Sequence, residues 1–372
     1  MRGVGVCFLS FEKGGTYYWQ FRATNASAGG TSNLVVSSSV KSVTTKDATT
    51  YTWTGGAEGA WEDENNWEAS PAVGSFGYPS TSDATAVFAE GTTAAVTLSS
   101  TSALTISKVV ITNSNVDVTL KKAAGSNGKL TVGSFAPAGA GSVLTLDGLT
   151  LQIPSGASVG KNFTLSLVNG AYVDHPGPAP TFENKGGRIL LSAGTTFYGQ
   201  IYKMSNGSLT SISNATLKFY HYVYWDGKGE KVNTIRFEGA SPSLCPSGGG
   251  NGHQAFAPST AGSVLNLDFV LPKNGYETAP LRYSVNNIIM GKGDNSQSGM
   301  AYVNVIANEK VKVAEDATIP LISWTAKGID TNVVVKGAMP TKKTRLVYGG
   351  ESVVTTIGVN VVQNPGVIIF LR

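Results

Sequence analysis

The side chains that could do chemistry are few and scattered. Three histidines, His175, His221 and His253, lie in three different segments. None has H-x-x-x-H or H-E spacing or a cysteine partner, so the sequence offers no zinc site. A P-loop, a G-x-G-x-x-G phosphate loop and calcium-binding nonapeptide repeats are missing, and Gly156-Ala157-Ser158-Val159-Gly160, though it matches G-x-S-x-G, has no helix-period segment after it to make a nucleophile elbow. What remains is carboxylate chemistry. Cleaving a polysaccharide takes two or three carboxylates, often with Lys or Arg, on neighbouring elements. The candidates are Asp147, Asp174, Glu183, Asp226, Glu230 and Asp268, and Asp226-Gly-Lys-Gly-Glu230 beside Tyr222 and Trp225 is the best local cluster. A solvated turn explains that cluster equally well. No catalytic residue, metal or cofactor is assigned, and the chain reads as non-catalytic. A polysaccharide lyase or glycosidase is the residual enzyme class.

The same segment is aromatic. Tyr220, Tyr222 and Tyr224 fall at spacing of two and share one face of a strand, with Phe219, His221, Val223 and Trp225 on the other. An exposed tyrosine ladder would be a ligand surface. Tyr220, Tyr222, Tyr224, Trp225, Asp226 and Glu230 therefore form the candidate surface for a carbohydrate partner. The competing reading is a strand with one face in the core and the other under a loop.

The elements that would position these residues are strands. Between about residues 92 and 250, runs such as Leu104–Ile111, Val143–Leu151, Phe163–Val168, Arg188–Ser192 and Ser213–Phe219 alternate apolar with polar residues. Turn signals separate them, among them Asn169-Gly170, Asn206-Gly207 and Pro154-Ser155-Gly156. The strands recur every ~20–25 residues, and no helix-period segment interrupts them. One phrase repeats: Gly141-Ser142-Val143-Leu144-Thr145-Leu146-Asp147 returns as Gly262-Ser263-Val264-Leu265-Asn266-Leu267-Asp268. These features predict an all-β chain built as a right-handed parallel β-helix, a β-solenoid, over residues 92–372. A tandem β-sandwich is the alternative. Residues 242–258, rich in Gly, Ser and Pro, read as a long loop.

Composition agrees. Only 14% of the 372 residues are charged, against a typical ~25%, and 45 are Gly. Dense Val/Ile/Leu/Phe runs and six Trp argue against disorder. The net charge is +4, with Lys and Arg scattered rather than in a basic stripe, which argues against nucleic acid as a partner. No apolar run reaches the ~18–20 residues of a membrane-spanning helix. Cys7 and Cys245 lie far apart, show no metal spacing, and read as buried free thiols or a single bridge.

Residues 47–91 read as a cap on the first turn. Trp53, Gly55, Trp61, Asn66, Trp67, Pro79, Asp83 and Phe88 follow the order W-T-G-x(n)-W-x(n)-N-W-x(n)-P-x(n)-D-x-A-x-F. This run resembles the start of β-helical domains in bacterial surface proteins, including autotransporter passenger domains. A solenoid end exposes an apolar cross-section and free strand edges, which three indoles would cover. The alternative is a carbohydrate platform made by Trp53, Trp61 and Trp67. Residues 1–46 hold a hairpin: Tyr17, Trp19, Phe21, Ala23 and Asn25 at spacing of two, a Gly29-Gly30 turn, and a second strand at Asn33–Ser37. That run resembles the last strands of a fibronectin type III domain, followed by a Ser/Thr-rich linker. The two resemblances together imply a module of a longer extracellular or cell-surface polypeptide, with further domains upstream. Its expected role is a structural spacer or adhesin-like element with surface or host glycans as partners.

Overall fold

The computed structural model describes residues 49–70, 77–178, 180–227, 229–246, 255–283, 299–307, 318–324 and 334–338. It also gives the backbone of short strands between residues 16 and 44 and between 346 and 369. Expectations that fall on Cys7, His253 and the turn residue Lys228 lie outside the described residues.

The chain coils as an all-β parallel β-solenoid of about seven turns. One face is an 11-stranded sheet that runs from Glu58–Ala60 through Thr93–Leu98 to Val334–Lys336. Thr93, Asp117, Val143, Thr164, Arg188, Leu209 and Thr234 are successive Cα partners on it, so each of these turns uses 21 to 26 residues. The next two turns lengthen to 32 and 36 residues, through Asn266 and Tyr302.

A second long sheet carries two further columns of partners. Leu104, Leu130, Leu151, Val173, Phe197, Leu217 and Leu244 form one. Val109, Phe135, Ala157, Phe182, Tyr202 and Val223 form the other. Between these columns the strand bends or breaks in every turn, at Pro154-Ser155 in one and at a register shift between Gly199 and Ile201 in another. Each turn therefore has three faces: the first sheet, and the two arms of the bent one.

Alternation explains why these residues make this coil. In a strand every second side chain points to the same face, so a period-two pattern fills the interior turn after turn. The column Val96, Leu120, Leu146, Leu167, Leu191, Ile212, Phe237, Phe269 and Val305 is at most 2% exposed throughout. Phe237 and Phe269 stack with centroids 4.8 Å apart and ring planes 14° from parallel. Burying one such side chain is worth about 1.5–3 kcal/mol, too little to order one turn alone but cumulative over a stack. The repeated Gly-Ser-Val-Leu phrase lands both times on this first face, in the strands Val143–Asp147 and Val264–Val270.

The turns between faces use left-handed backbone. Asn162, Asn169, Asn206 and Asn214 adopt φ between 49° and 61°. Asparagine reaches that region at lower cost than other non-glycine residues.

Two expectations are corrected. Residues 242–258 are not one long loop, since Ser243–Pro246 and Ala255–Pro258 are strands paired in parallel with Thr216–Trp225. Parallel stacking also does not continue to the last strands. Thr355–Asn360 pairs antiparallel with both Thr318–Trp324 and Leu346–Gly349, and Val362–Asn364 pairs antiparallel with Val367–Ile369. Near the N-terminus, Arg22–Asn25 pairs antiparallel with Leu34–Ser37, and Thr16–Trp19 with Lys41–Thr44.

Candidate functional site

The Trp-rich segment folds over the first turn. Thr50–Trp53 pairs antiparallel with Trp67–Ser70 and parallel with Thr85–Val87, which in turn lies on Leu104–Val110. Trp53, Trp61, Trp67 and Phe88 form one buried cluster, with Trp61 fully buried and Trp67 at 6% exposure. Trp67 meets Trp53 and Trp61 edge-on, at centroid distances of 5.1 and 4.9 Å. Each indole N–H donates to a carbonyl: Trp53 to Gly56, Trp61 to Pro79 and Trp67 to Trp61, at 3.0, 2.8 and 2.8 Å.

Asn66 Nδ2 donates to the Ala60 carbonyl at 2.8 Å. Gly55 and Gly59 pack so closely on the Asn66 side chain that a Cβ at either would fall 2.5–2.6 Å from its amide atoms. That contact explains the glycine in the Trp-Thr-Gly run. With the three indoles buried, the carbohydrate-platform reading of Trp53, Trp61 and Trp67 fails, and the cluster is interior packing.

The other candidate residues lie on the third face. The strand Thr216–Trp225 carries Tyr220, Tyr222 and Tyr224, all half-buried. It bends at Tyr220-His221, opposite Gln200, because Gly199 partners Phe219 while Ile201 partners Tyr222. The bend breaks the alternation read from the sequence. Phe219, Val223 and Trp225 point inward and are fully buried, but His221 is half-buried and its ring joins the outward row. Tyr220 meets His221 edge-on at 4.8 Å, and Tyr222 and Tyr224 stack at 5.1 Å and 12°. Trp225, in the candidate ligand set, is thus a core residue and not part of that surface. Glu230 is exposed in the following turn.

The stacking of turns brings together charges that are far apart in sequence. Ser158, Glu183, Lys203 and Tyr224 are successive partners along the third face. Lys185 Nζ lies 2.8 Å from Glu183 Oε2, and Lys203 Nζ lies 3.4 Å from Glu183 Oε1 and 3.9 Å from Asp226 Oδ2. The four groups form a chain: ammonium, carboxylate, ammonium, carboxylate. Burial pushes the Glu183 carboxyl up, but the hydrogen bonds and charges of Lys185 and Lys203 together hold it below its ordinary value. Burial also pushes Asp226 up; Lys203 opposes this and Glu183 adds to it, so the net shift is upward.

Beside this chain lies a shallow hollow of about 410 Å³ lined by Ala136, Gly156, Ser158, Thr181, Glu183 and Lys203, among others. Sequence reasoning selected Glu183 only as one of six scattered carboxylates. The run Thr-Phe-Glu-Asn-Lys at 181–185 does carry a signal, since its alternation turns Glu183 and Lys185 to the same side.

The remaining candidate carboxylates are tied into structural pairs. Asp147 accepts from Asn169 Nδ2 and Asp174 from Gln152 Nε2, both at 2.8 Å. Asp268 accepts from Arg236 Nη2 at 3.1 Å and Asn304 Nδ2 at 2.8 Å. Each of these contacts crosses from one turn to the next and stitches the outer surface.

Among the buried polar groups of the interior are Tyr202 and His175, the latter read from the sequence only for the metal spacing it lacks. Tyr202, fully buried, shares a 2.5 Å hydrogen bond with Thr210 Oγ1 and receives a longer one from Asn184 Nδ2. Burial pushes its hydroxyl up to about 12, against the opposing effect of those hydrogen bonds. His175 is fully buried, with Nε2 2.6 Å from the Ser155 carbonyl and no hydrogen-bond partner for Nδ1. Burial lowers its pKa, opposed by that hydrogen bond and by Asp174.

Among the described residues, no group of three or more His, Cys, Asp or Glu could hold a metal ion. No helix among them is long and apolar enough to cross a membrane.

The class defined by these features is an all-β parallel solenoid with a buried aromatic cluster at its N-terminal end. Comparison with protein-family models, with curated proteins and with solved structures finds no match to this chain.

Proposed function

We propose that the chain is a non-catalytic secreted or cell-surface module, in which the solenoid serves as a rigid, adhesin-like spacer. The observation that carries this reading is the unbroken stack of inward columns. Turns joined by parallel ladders along three faces resist bending, and the outer side chains are bonded from turn to turn. The likeness of the Trp-rich segment to the start of β-helical domains in bacterial surface proteins, autotransporter passengers included, supports the location.

The charge chain on the third face favours a non-catalytic role. Two carboxylate oxygens within 3.4 and 3.9 Å of one ammonium lie no more than about 7 Å apart, an upper bound that overlaps the separations of glycosidase pairs. Here the Lys203 ammonium sits between Glu183 and Asp226, where a glycosidic bond would have to sit. The pair is an ion-pair network first.

Two measurements test the proposal. Antibody raised against the solenoid is expected to label intact producing cells or their medium. Incubation with a panel of polysaccharides is expected to release no new reducing or unsaturated ends. Release that disappears in both Glu183→Gln and Asp226→Asn would overturn the non-catalytic reading.

A further inference from the structure

We propose that the hollow on the third face is a binding site for an uncharged oligosaccharide that lies extended along the solenoid axis. The inference rests on the surface-module reading above and names the ligand class. Four consecutive turns line the hollow: Phe135-Ala136 on the first, Gly156, Ala157 and Ser158 on the second, Thr181, Glu183 and Lys185 on the third, and Lys203 on the fourth.

Its shape follows from side-chain size. On the first two turns the outward positions are Ala136, Gly156 and Ser158, so the surface sinks. On the next two, Thr181, Glu183 and Lys203 stand above it. The Tyr222–Tyr224 pair continues that rise one turn later, because Tyr224 partners Lys203. Neighbouring turns are about 4.8 Å apart, so four turns span about 14 Å. That step is close to the advance of one pyranose unit in an extended chain.

The chemistry of the lining matches a sugar. A pyranose has C–H faces and a rim of hydroxyls that both donate and accept. The floor offers methyl and methylene surface from Ala136 and Ser158. The walls offer a carboxylate that accepts from hydroxyls, at Glu183, and ammonium groups that donate, at Lys185 and Lys203.

Charge selects among saccharides. Both ammoniums are already matched by Glu183, and Lys203 also by Asp226. The site therefore has no cation left uncompensated for an acidic sugar, and neutral chains are the expected ligands. The tyrosines contribute less as stacking platforms than the sequence suggested, since Tyr222 and Tyr224 face each other. They are a wall at the end of the trough.

The test is calorimetric titration of the full chain with length series of neutral β-linked gluco-oligosaccharides and of oligogalacturonates. The neutral series is expected to bind, with affinity rising up to roughly the fourth sugar and then levelling, as four turns allow. Ser158→Trp, which fills the trough, and Lys203→Met are each expected to weaken binding about tenfold or more, the effect of losing one charged hydrogen bond. Thr119→Trp, outward on the first face, is expected to leave binding unchanged and serves as the folding control.

Absence of binding by both series at millimolar concentration would overturn the site and leave the spacer reading standing. So would binding indifferent to Ser158→Trp, and binding confined to the galacturonates would overturn the assignment to neutral chains. Shortening of a bound oligosaccharide, lost in Glu183→Gln, would support the groove while overturning the non-catalytic reading.

Discussion

Replacing Trp61 by Ala should unzip the solenoid from one end. The indole is fully buried, donates to the Pro79 carbonyl at 2.8 Å and meets Trp67 edge-on at 4.9 Å. Truncating a buried Trp to Ala costs about 3–5 kcal/mol, a figure that already contains the lost ring contacts. The buried Pro79 carbonyl also loses its donor, which adds on the order of 1 kcal/mol. The expected loss is therefore about 4–6 kcal/mol. Trp61→Phe keeps most of the ring and loses the N–H, so it should cost about 1–2 kcal/mol.

The location of the loss is the sharper prediction. In a stacked array stability is a sum of nearest-neighbour terms. Trp61→Ala should therefore weaken the cap and the strand Thr93–Leu98 while the strands Thr164–Val168 and Leu209–Ser213 keep their protection. Native-state hydrogen exchange read by mass spectrometry measures this. A local loss of about 4 kcal/mol speeds exchange about a thousandfold in the first turn. A loss under 1 kcal/mol, or equal acceleration along all turns, would refute the capping argument.

Three further outcomes follow from the interior and the third face. Tyr202→Phe should cost about 1–3 kcal/mol in urea unfolding, because Thr210 and Asn184 lose a buried partner. The raised Tyr202 pKa also has a sign. Its stabilising effect is complete below pH 10 and is lost as pH rises toward the folded value of about 12, so the wild type should destabilise there and Tyr202→Phe less so.

His175 has a folded pKa below its ordinary 6.5, so the unfolded chain takes the proton first as pH falls. Stability is full above that pH and declines below it. His175→Phe should flatten the urea midpoint between pH 7 and 5, and a wild-type midpoint constant over that range would contradict the buried neutral ring.

Lys203→Met should raise the Asp226 pKa further, seen by carboxyl NMR titration. Stability should change by no more than about 1 kcal/mol, since these groups are about one-third exposed.

The fold was largely legible because its signals are local. Leu144 and Leu146, then Leu165 and Leu167, declare an inward face by spacing alone, and Pro154-Ser155-Gly156 marks a turn between them. The burial of the N-terminal aromatic cluster was legible because three indoles and Phe88 at a solenoid end have few places to go. Two kinds of feature were hidden. The bend at Tyr220-His221 depends on a register shift against Gly199 and Ile201, which a single strand's pattern cannot reveal, and it moved His221 out of the inward set.

The charge chain was hidden because its members sit about one turn of sequence apart. Glu183 meets Lys203, and Lys203 meets Asp226, only after the register of two ladders is fixed. The same holds for the trough, whose floor at Ala136, Gly156 and Ser158 is defined by small side chains in separate runs. Antiparallel pairing of Thr355–Asn360 with Thr318–Trp324 was hidden for a related reason, since alternation alone does not set strand direction.

Rigid stacking is the property on which the spacer role depends, and pulsed electron spin resonance measures it directly. Spin labels would be placed in pairs on outward positions of the first face, in a Cys7→Ser, Cys245→Ser background. Thr119, Thr145, Ser166, Ser211 and Arg236 belong to one column of partners. Thr119 and Arg236 are five turns apart, so their Cα atoms should be separated by about 24 Å, at about 4.8 Å per turn. The expected result is a narrow distance distribution that shortens in proportion as the second label moves to Ser211, Ser166 and Thr145. Broad distributions, or distances that do not scale with the number of turns, would contradict the rigid solenoid and the function built on it.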